Sequence, residues 1–187
     1  MNNKKLMILI SCITIMISCA EKVKLTSEEL LWIDVYVEGD VLIFQNIDNL
    51  KKDTVTIVKK EVYHPKYDWI QNDKYQPQVA RIWSKDENNQ LSELLEIWKT
   101  NPDDKAFPSI KYKNSTFITR FSDFEMSHIQ SIGNKSFESV YVFNKELNRH
   151  FNMEKHRNRP QSLYWDKEYG IIKYVTFNGE IWERINW

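Results

Sequence analysis

The sequence predicts a mainly β domain, a curved antiparallel sheet closing toward a barrel or sandwich, with one or two short helices. Three observations point there. After residue 26 the chain breaks into short runs whose apolar side chains recur at every second position, the period of a half-buried strand. Turn signals separate these runs, the clearest being Asn178-Gly179. The 7 Trp, 9 Tyr and 9 Phe all lie beyond residue 20, enough large rings to fill a core without cross-links. Nothing repeats at a fixed period.

Taken in order, Thr26-Ser27-Glu28-Glu29 is a capping box, with Thr26 at the N-cap and Glu29 three residues on, opening a helix of one or two turns. From Ile33 the period changes to two. Gly39-Asp40 then offers a tight turn that would pair Val37 with Leu42 and Val35 with Phe44 in a hairpin. Asn46 to Asp53 is polar and predicts a loop. Val55 and Ile57 alternate with threonines in a third strand that ends near Tyr63, where His64-Pro65 stops regular pairing.

An aromatic, polar segment runs on through Pro77, followed by a strand over Gln78 to Ser84 and a turn at Asp86 to Asn89. Leu91 to Lys99 carries both helical and strand spacing, and the turn before it favours the return arm of a hairpin. Asn101 to Lys105 predicts a loop, Pro108 to Lys113 an extended piece, Ser115 to Phe121 a strand. Phe137 to Phe143 is apolar on both faces, the mark of an inner strand. Asn144 to Pro160 is polar, with a helical turn around Lys145 to Phe151. In the last hairpin a type I′ turn at Asn178-Gly179 sets Thr176 opposite Ile181 and Tyr174 opposite Glu183. That register also places Lys173 opposite Arg184, like charges that destabilise a pair and imply a solvated edge.

The first twenty residues read differently. Lys4 and Lys5 precede an uncharged run from Leu6 to Ser18, too short for a membrane span and built like a secretory signal. The run ends in Met16-Ile17-Ser18-Cys19, which resembles the lipobox of bacterial lipoproteins, with Met16 where Leu is usual. A second candidate at Leu9-Ile10-Ser11-Cys12 would leave too short an apolar core. The resemblance implies cleavage before Cys19 and acylation of its thiol. The expected division is a signal over 1–18, a lipidated tether over 19–26 and a single β-rich domain over 27–187. Two or three acyl chains hold a protein stably where one does not. Ala20, rather than Asp, implies the outer membrane by enterobacterial sorting, and no acidic cluster for surface export follows. The expected place is therefore the cell envelope, facing the periplasm. Extended, Ala20 to Thr26 would reach roughly 25 Å.

The closing segment, Tyr164-Trp165-Asp166-Lys167-Glu168-Tyr169-Gly170-Ile171-Ile172-Lys173-Tyr174 and then Asn178 to Glu183, is similar to the C-terminal end of small lipoproteins of the Bacteroidota. The resemblance supports a hairpin finish and brings no activity with it.

Composition excludes several chemistries. With 26 basic and 26 acidic residues, and Lys4 and Lys5 lost with the signal, the remaining chain has a small negative excess and no general attraction for nucleic acid. The 2 cysteines are both spent in the signal and the anchor, which removes disulfides, thiolate nucleophiles and Cys-ligated metals. Four Gly leave no phosphate-binding loop, and no Gly-x-Ser-x-Gly or His-Glu-x-x-His motif occurs. His150, Glu154 and His156 lack the spacing of a metal site, so no metal or cofactor is expected. Asp123 and Glu125 would share a face of a strand, as glycosidic carboxylates can, but loop carboxylates are the default. Asn114-Ser115-Thr116 matches a glycosylation sequon and reads as coincidence beside a bacterial lipobox.

The better lead is aromatic. Tyr63, Tyr67 and Trp69, and later Tyr164 and Trp165, could stack against a sugar ring or apolar ligand, although rings of this kind also fill cores. The reading is a non-enzymatic envelope lipoprotein whose domain binds a small-molecule or glycan ligand or an envelope protein. The alternatives are an assembly subunit of an envelope complex and, behind it, a carboxylate hydrolase of envelope glycan or lipid.

Overall fold

The computed structural model describes residues 20–66, 74–118, 125–144 and 157–187. The fold is the mainly β, antiparallel near-barrel that the sequence predicts. A two-residue strand β1 (Glu21–Lys22) leads into helix α1 (Ser27–Asp34). Then come β2 (Val41–Asn46), β3 (Lys52–Tyr63), the two-residue β4 (Tyr75–Gln76), β5 (Gln78–Lys85), β6 (Leu91–Lys99), β7 (Phe107–Tyr112) and β8 (Ser115–Ile118). The chain finishes with β9 (Glu125–Ile132), β10 (Lys135–Phe143), β11 (Pro160–Asp166), β12 (Gly170–Thr176) and β13 (Ile181–Arg184).

Among the described residues eleven strands form one sheet in the order β8-β7-β6-β5-β3-β2-β13-β12-β11-β10-β9, every pair antiparallel. Read as a ring, that order follows the chain, with β13 returning to pair with β2 through Trp182 opposite Asn46. The seam falls between β8 and β9. Eleven is odd, so these two strands run in the same direction and no antiparallel ladder can close the ring there. The sheet nevertheless curls until its ends meet through side chains. Phe117 on β8 packs edge-on against Phe143 on β10 at 6.1 Å, and Ser115 donates to the carbonyl of Pro160 at 2.8 Å.

Helix α1 plugs one end of the curl. Its capping box forms as expected, Thr26 Oγ1 accepting from the Glu29 N–H and Glu29 from the Thr26 N–H. Buried Glu29, Trp32 and Ile33 fall at helical spacing, Tyr36 follows just past the C-cap Val35, and together they reach strands on opposite sides of the ring. Trp32 stacks on Trp165 of β11 at 3.9 Å, while Glu29 meets Lys99 of β6 at 3.4 Å. This end is the helix end. The β2–β3, β5–β6, β7–β8 and β12–β13 turns form the opposite, open end.

Three expectations are corrected. The hairpin expected across Gly39-Asp40 does not form, because helical burial of Trp32 and Ile33 outcompetes the alternation of Ile33, Val35 and Val37. Instead Leu42 pairs with Val55, and Phe44 with Asp53. Asp53, read as the end of a polar loop, thereby lies within β3 and is buried. In the last hairpin the register is one residue off. Lys173 faces Glu183 and Tyr174 faces Trp182, because the loop spends three residues, a turn closed by Gly179 N–H to Thr176 C=O at 3.0 Å with Gly179 at φ +86°. Lys173 therefore meets an opposite charge at 3.3 Å, not Arg184.

Leu91–Lys99 is a strand, and β10 lies between β9 and β11 as an inner strand should. The helical turn expected over Lys145 to Phe151 lies outside the described residues.

Candidate ligand-binding site

At the open end a cleft of about 570 Å³ enters between the β5–β6 and β7–β8 turns. Its innermost charge is Asp53, only 3% exposed. One oxygen, Oδ2, accepts from the hydroxyls of Tyr112 and Tyr174, each at 2.8 Å, and from the Lys113 ammonium at 2.9 Å. Three donors from β7, its turn and β12 thus converge on β3, tying opposite walls together at the mouth.

Local structure explains the convergence. Tyr112 pairs with Ser115, so Lys113-Asn114 is a two-residue hairpin loop. Both residues adopt positive φ, +47° and +61°, as a type I′ turn demands. The turn lays the Lys113 ammonium 5.7 Å from the Tyr174 ring and 5.4 Å from Trp182, which itself stacks on Tyr174 at 5.7 Å. Phe44 closes the group from below, 5.4 Å from Tyr174 and 5.9 Å from Tyr112. Burial and then the Asp53 carboxylate push the hydroxyls of Tyr112 and Tyr174 well above the ordinary tyrosine range. They stay protonated, as donors to Asp53 must.

Above this floor the lining is polar and nearly balanced in charge. Asp86 accepts from the N–H groups of Asn88 (2.9 Å) and Gln90 (2.8 Å), fixing the β5–β6 turn with both amide side chains on the cleft. Glu93 is held by Arg81 at 2.9 Å and Lys111 at 2.6 Å. Ser92, Asn114, Thr116 and Arg159 complete the rim. Such a surface offers amide and hydroxyl partners to a ligand rich in hydroxyls, with Asp53 and Glu93 already paired to cations.

A second cleft, about 340 Å³, opens at the helix end beside α1. Trp32, Tyr141 and Trp165 form its floor, and Glu29, Lys99 and Lys167 lie around it. Burial raises the proton affinity of Glu29, but the N–H groups of Thr26 and Ala106 and the Lys99 ammonium outweigh it, leaving the carboxyl below its usual range.

Of the aromatic residues singled out in the sequence, the three described ones, Tyr63, Tyr164 and Trp165, do not gather into one site. Tyr63 ends β3 with the Arg81 guanidinium 5.7 Å from its ring. Tyr164 packs on a separate cluster of Ile132, Phe137, Val140 and Ile172, while its neighbour Trp165 is fully buried in the main core. Cys19, Tyr67 and Trp69 lie outside the described residues, as do Asp123, His150, Glu154 and His156. Of the histidines, His64 bonds the carbonyl of Pro77 at 3.0 Å. Among the described residues no cluster of His, Cys, Asp or Glu is placed to hold a metal ion, and no helix is long and apolar enough to cross a membrane.

Asp53, Tyr112, Lys113 and Tyr174 were not legible as a group, because they come from three distant strands and Asp53 reads as loop. The usable signal was Lys113-Asn114 between two strand-like runs, a turn that brings a lysine to a hairpin tip. No protein-family model, curated protein or solved structure matches the chain.

Proposed function

We propose that this chain is a lipid-anchored envelope protein, acylated at Cys19 and held at the periplasmic face of the outer membrane. Its barrel-like domain binds a hydroxyl-rich ligand, such as an envelope glycan, in the cleft at the open end. The observation that carries the reading is the mouth itself, a cleft of ligand size whose floor is locked by Asp53 and its three donors and whose rim presents amides and hydroxyls.

Binding without conversion is favoured because the cleft's inner carboxylates are already engaged, Asp53 by two tyrosines and a lysine, Glu93 by Arg81 and Lys111. The smaller cleft supports a second reading, in which a ligand stacks over Trp32 and Tyr141 at the helix end.

Purifying the native lipoprotein from its membranes, with mass analysis of bound small molecules and glycans, tests the proposal. A bound glycan lost on Asn88→Ala/Gln90→Ala substitution is the expected result. Retention of the same glycan by that variant would move the site elsewhere.

A further inference from the structure

The stretch between the lipobox and the helix is not a free tether. Glu21 N–H donates to the Lys74 carbonyl at 3.0 Å and Val23 N–H to the Gln76 carbonyl at 2.9 Å, a parallel ribbon of β1 with β4. Leu25 N–H then donates to the Gln78 side chain at 2.7 Å. Val23 and Leu25 are 1% and 7% exposed, while Lys22 and Lys24 between and before them face out. Only Ala20 separates Cys19 from the first bonded residue. A chain pinned this way has no slack, so an acyl group on Cys19 would bring the ribbon itself to the bilayer surface.

The chemistry of the ribbon suits that position. Lys22 and Lys24 share its outer face, Lys74 lies exposed just before the partner strand, and Lys66 is exposed beside Pro65, whose carbonyl accepts from Gln76 at 2.7 Å. Against these four ammonium groups the described residues set the exposed carboxylates Glu21, in the ribbon itself, and Asp103, both of which act on Lys74. Lysines beside an anchor attract anionic headgroups and act as the second signal that steadies lipid attachment.

We infer that the β1–β4 ribbon is a membrane-docking surface that seats the domain directly on anionic phospholipid headgroups, helix end down, with the open-end cleft pointing away from the bilayer. The inference rests on the acylation of Cys19 proposed above. It adds an orientation and a lipid preference that acylation alone does not require, since most tethered domains tumble about a flexible stalk.

The test uses the full lipoprotein in vesicles of phosphatidylethanolamine with phosphatidylglycerol. With Cys12 cleaved away and Cys19 acylated, an introduced cysteine is the lone free thiol. A dye on Lys74→Cys is expected to be strongly quenched by brominated lipid and a dye on Leu91→Cys, at the open end, not at all. Inserting about ten Gly and Ser residues, a flexible coil, between Ala20 and Glu21 should erase that contrast. Exchanging Lys22 and Lys24 for Glu should weaken the Lys74→Cys quenching, as should replacing phosphatidylglycerol with phosphatidylcholine. The intact mass is read on the same sample. An acylated protein with equal quenching at both positions overturns the seating alone, and an unacylated protein overturns the anchor and the seating with it.

Discussion

Asp53 is the residue on which the open end depends most. Buried carboxylates are tolerated only when paired and hydrogen-bonded, and removing the acceptor strands every donor it held. Tyr112→Phe deletes one of three donors and is expected to lower unfolding stability by about 1–2 kcal/mol. Asp53→Ala leaves two buried hydroxyls and Lys113 without their acceptor, and about 3 kcal/mol or more is expected to be lost. Urea melts of the two variants check the order. An Asp53→Ala midpoint at or above that of Tyr112→Phe would mean the network is not under load.

The same residues set the alkaline behaviour. Burial pushes Tyr36, whose hydroxyl oxygen accepts from the Ile171 N–H, up to about 12, and Tyr112 and Tyr174 are raised as well. The unfolded chain releases these protons near pH 10 while the folded chain keeps them, so their stabilisation is whole below pH 10 and declines above it. For Tyr36 the loss runs from pH 10 to about 12. Ultraviolet titration is expected to show three tyrosines ionising only as the protein unfolds. A complete phenolate transition near pH 10 in the folded protein would contradict their burial.

A tight contact lies beside Tyr36. Gly170 sits at φ +72°, and a Cβ there would overlap the Tyr36 hydroxyl, so even alanine is excluded twice over. Sequence could not show the ring pressed against this glycine, because Tyr36 lies far away along the chain.

At the scale of elements, α1 carries two loads. Its capping box was fully legible in Thr26 and Glu29, because that signal is local and spends neighbouring side chains on neighbouring N–H groups. What the sequence did not show is that Glu29 also holds the Ala106 N–H at 2.9 Å and a buried Lys99. Thr26→Ala is expected to lose about 1 kcal/mol, an ordinary cap. Glu29→Gln leaves Lys99 buried without a counter-charge and is expected to lose about 3 kcal/mol. The Glu29 carboxyl, lowered from 4.5, contributes stability above that pH and loses it as acid protonates the folded state. Thermal melts of Glu29→Gln should therefore be flatter in pH than wild type below pH 4.5. Parallel profiles would remove Glu29 from the acid response.

Strand identity was readable where alternation was long, as in β3 and β12, and where turn residues bounded it, as at Asp86 to Asn89. Register was not. Asn178-Gly179 fits both a two-residue and a three-residue loop, and only the pairing of Tyr174 with Trp182 and of Lys173 with Glu183 chooses between them. The false hairpin at Gly39-Asp40 has the same origin, since Ile33, Val35 and Val37 alternate as a strand does while 29, 32, 33 and 36 repeat as a helix does. Tertiary burial of Trp32 and Ile33 decides for the helix.

For the whole molecule, the odd strand number leaves a seam between β8 and β9, the helix fills one end, and the other end is free to carry a cleft. Class and curvature were legible because aromatic content and alternation report burial. The cleft was not, because its lining comes from turns that meet only after the sheet curls. Trp165, expected against a ligand, is fully buried and stacked on Trp32 in the floor of the smaller cleft.

The proposal of an open-end binding site stands on that cleft, and calorimetric titration of envelope polysaccharide into the detergent-purified lipoprotein tests it most directly. Wild type should give saturable heat, and Asn88→Ala/Gln90→Ala/Arg159→Ala, changed only at the rim, should bind at least about tenfold more weakly, the loss of roughly 1.4 kcal/mol. Equal binding by both proteins, or none by wild type, would contradict it.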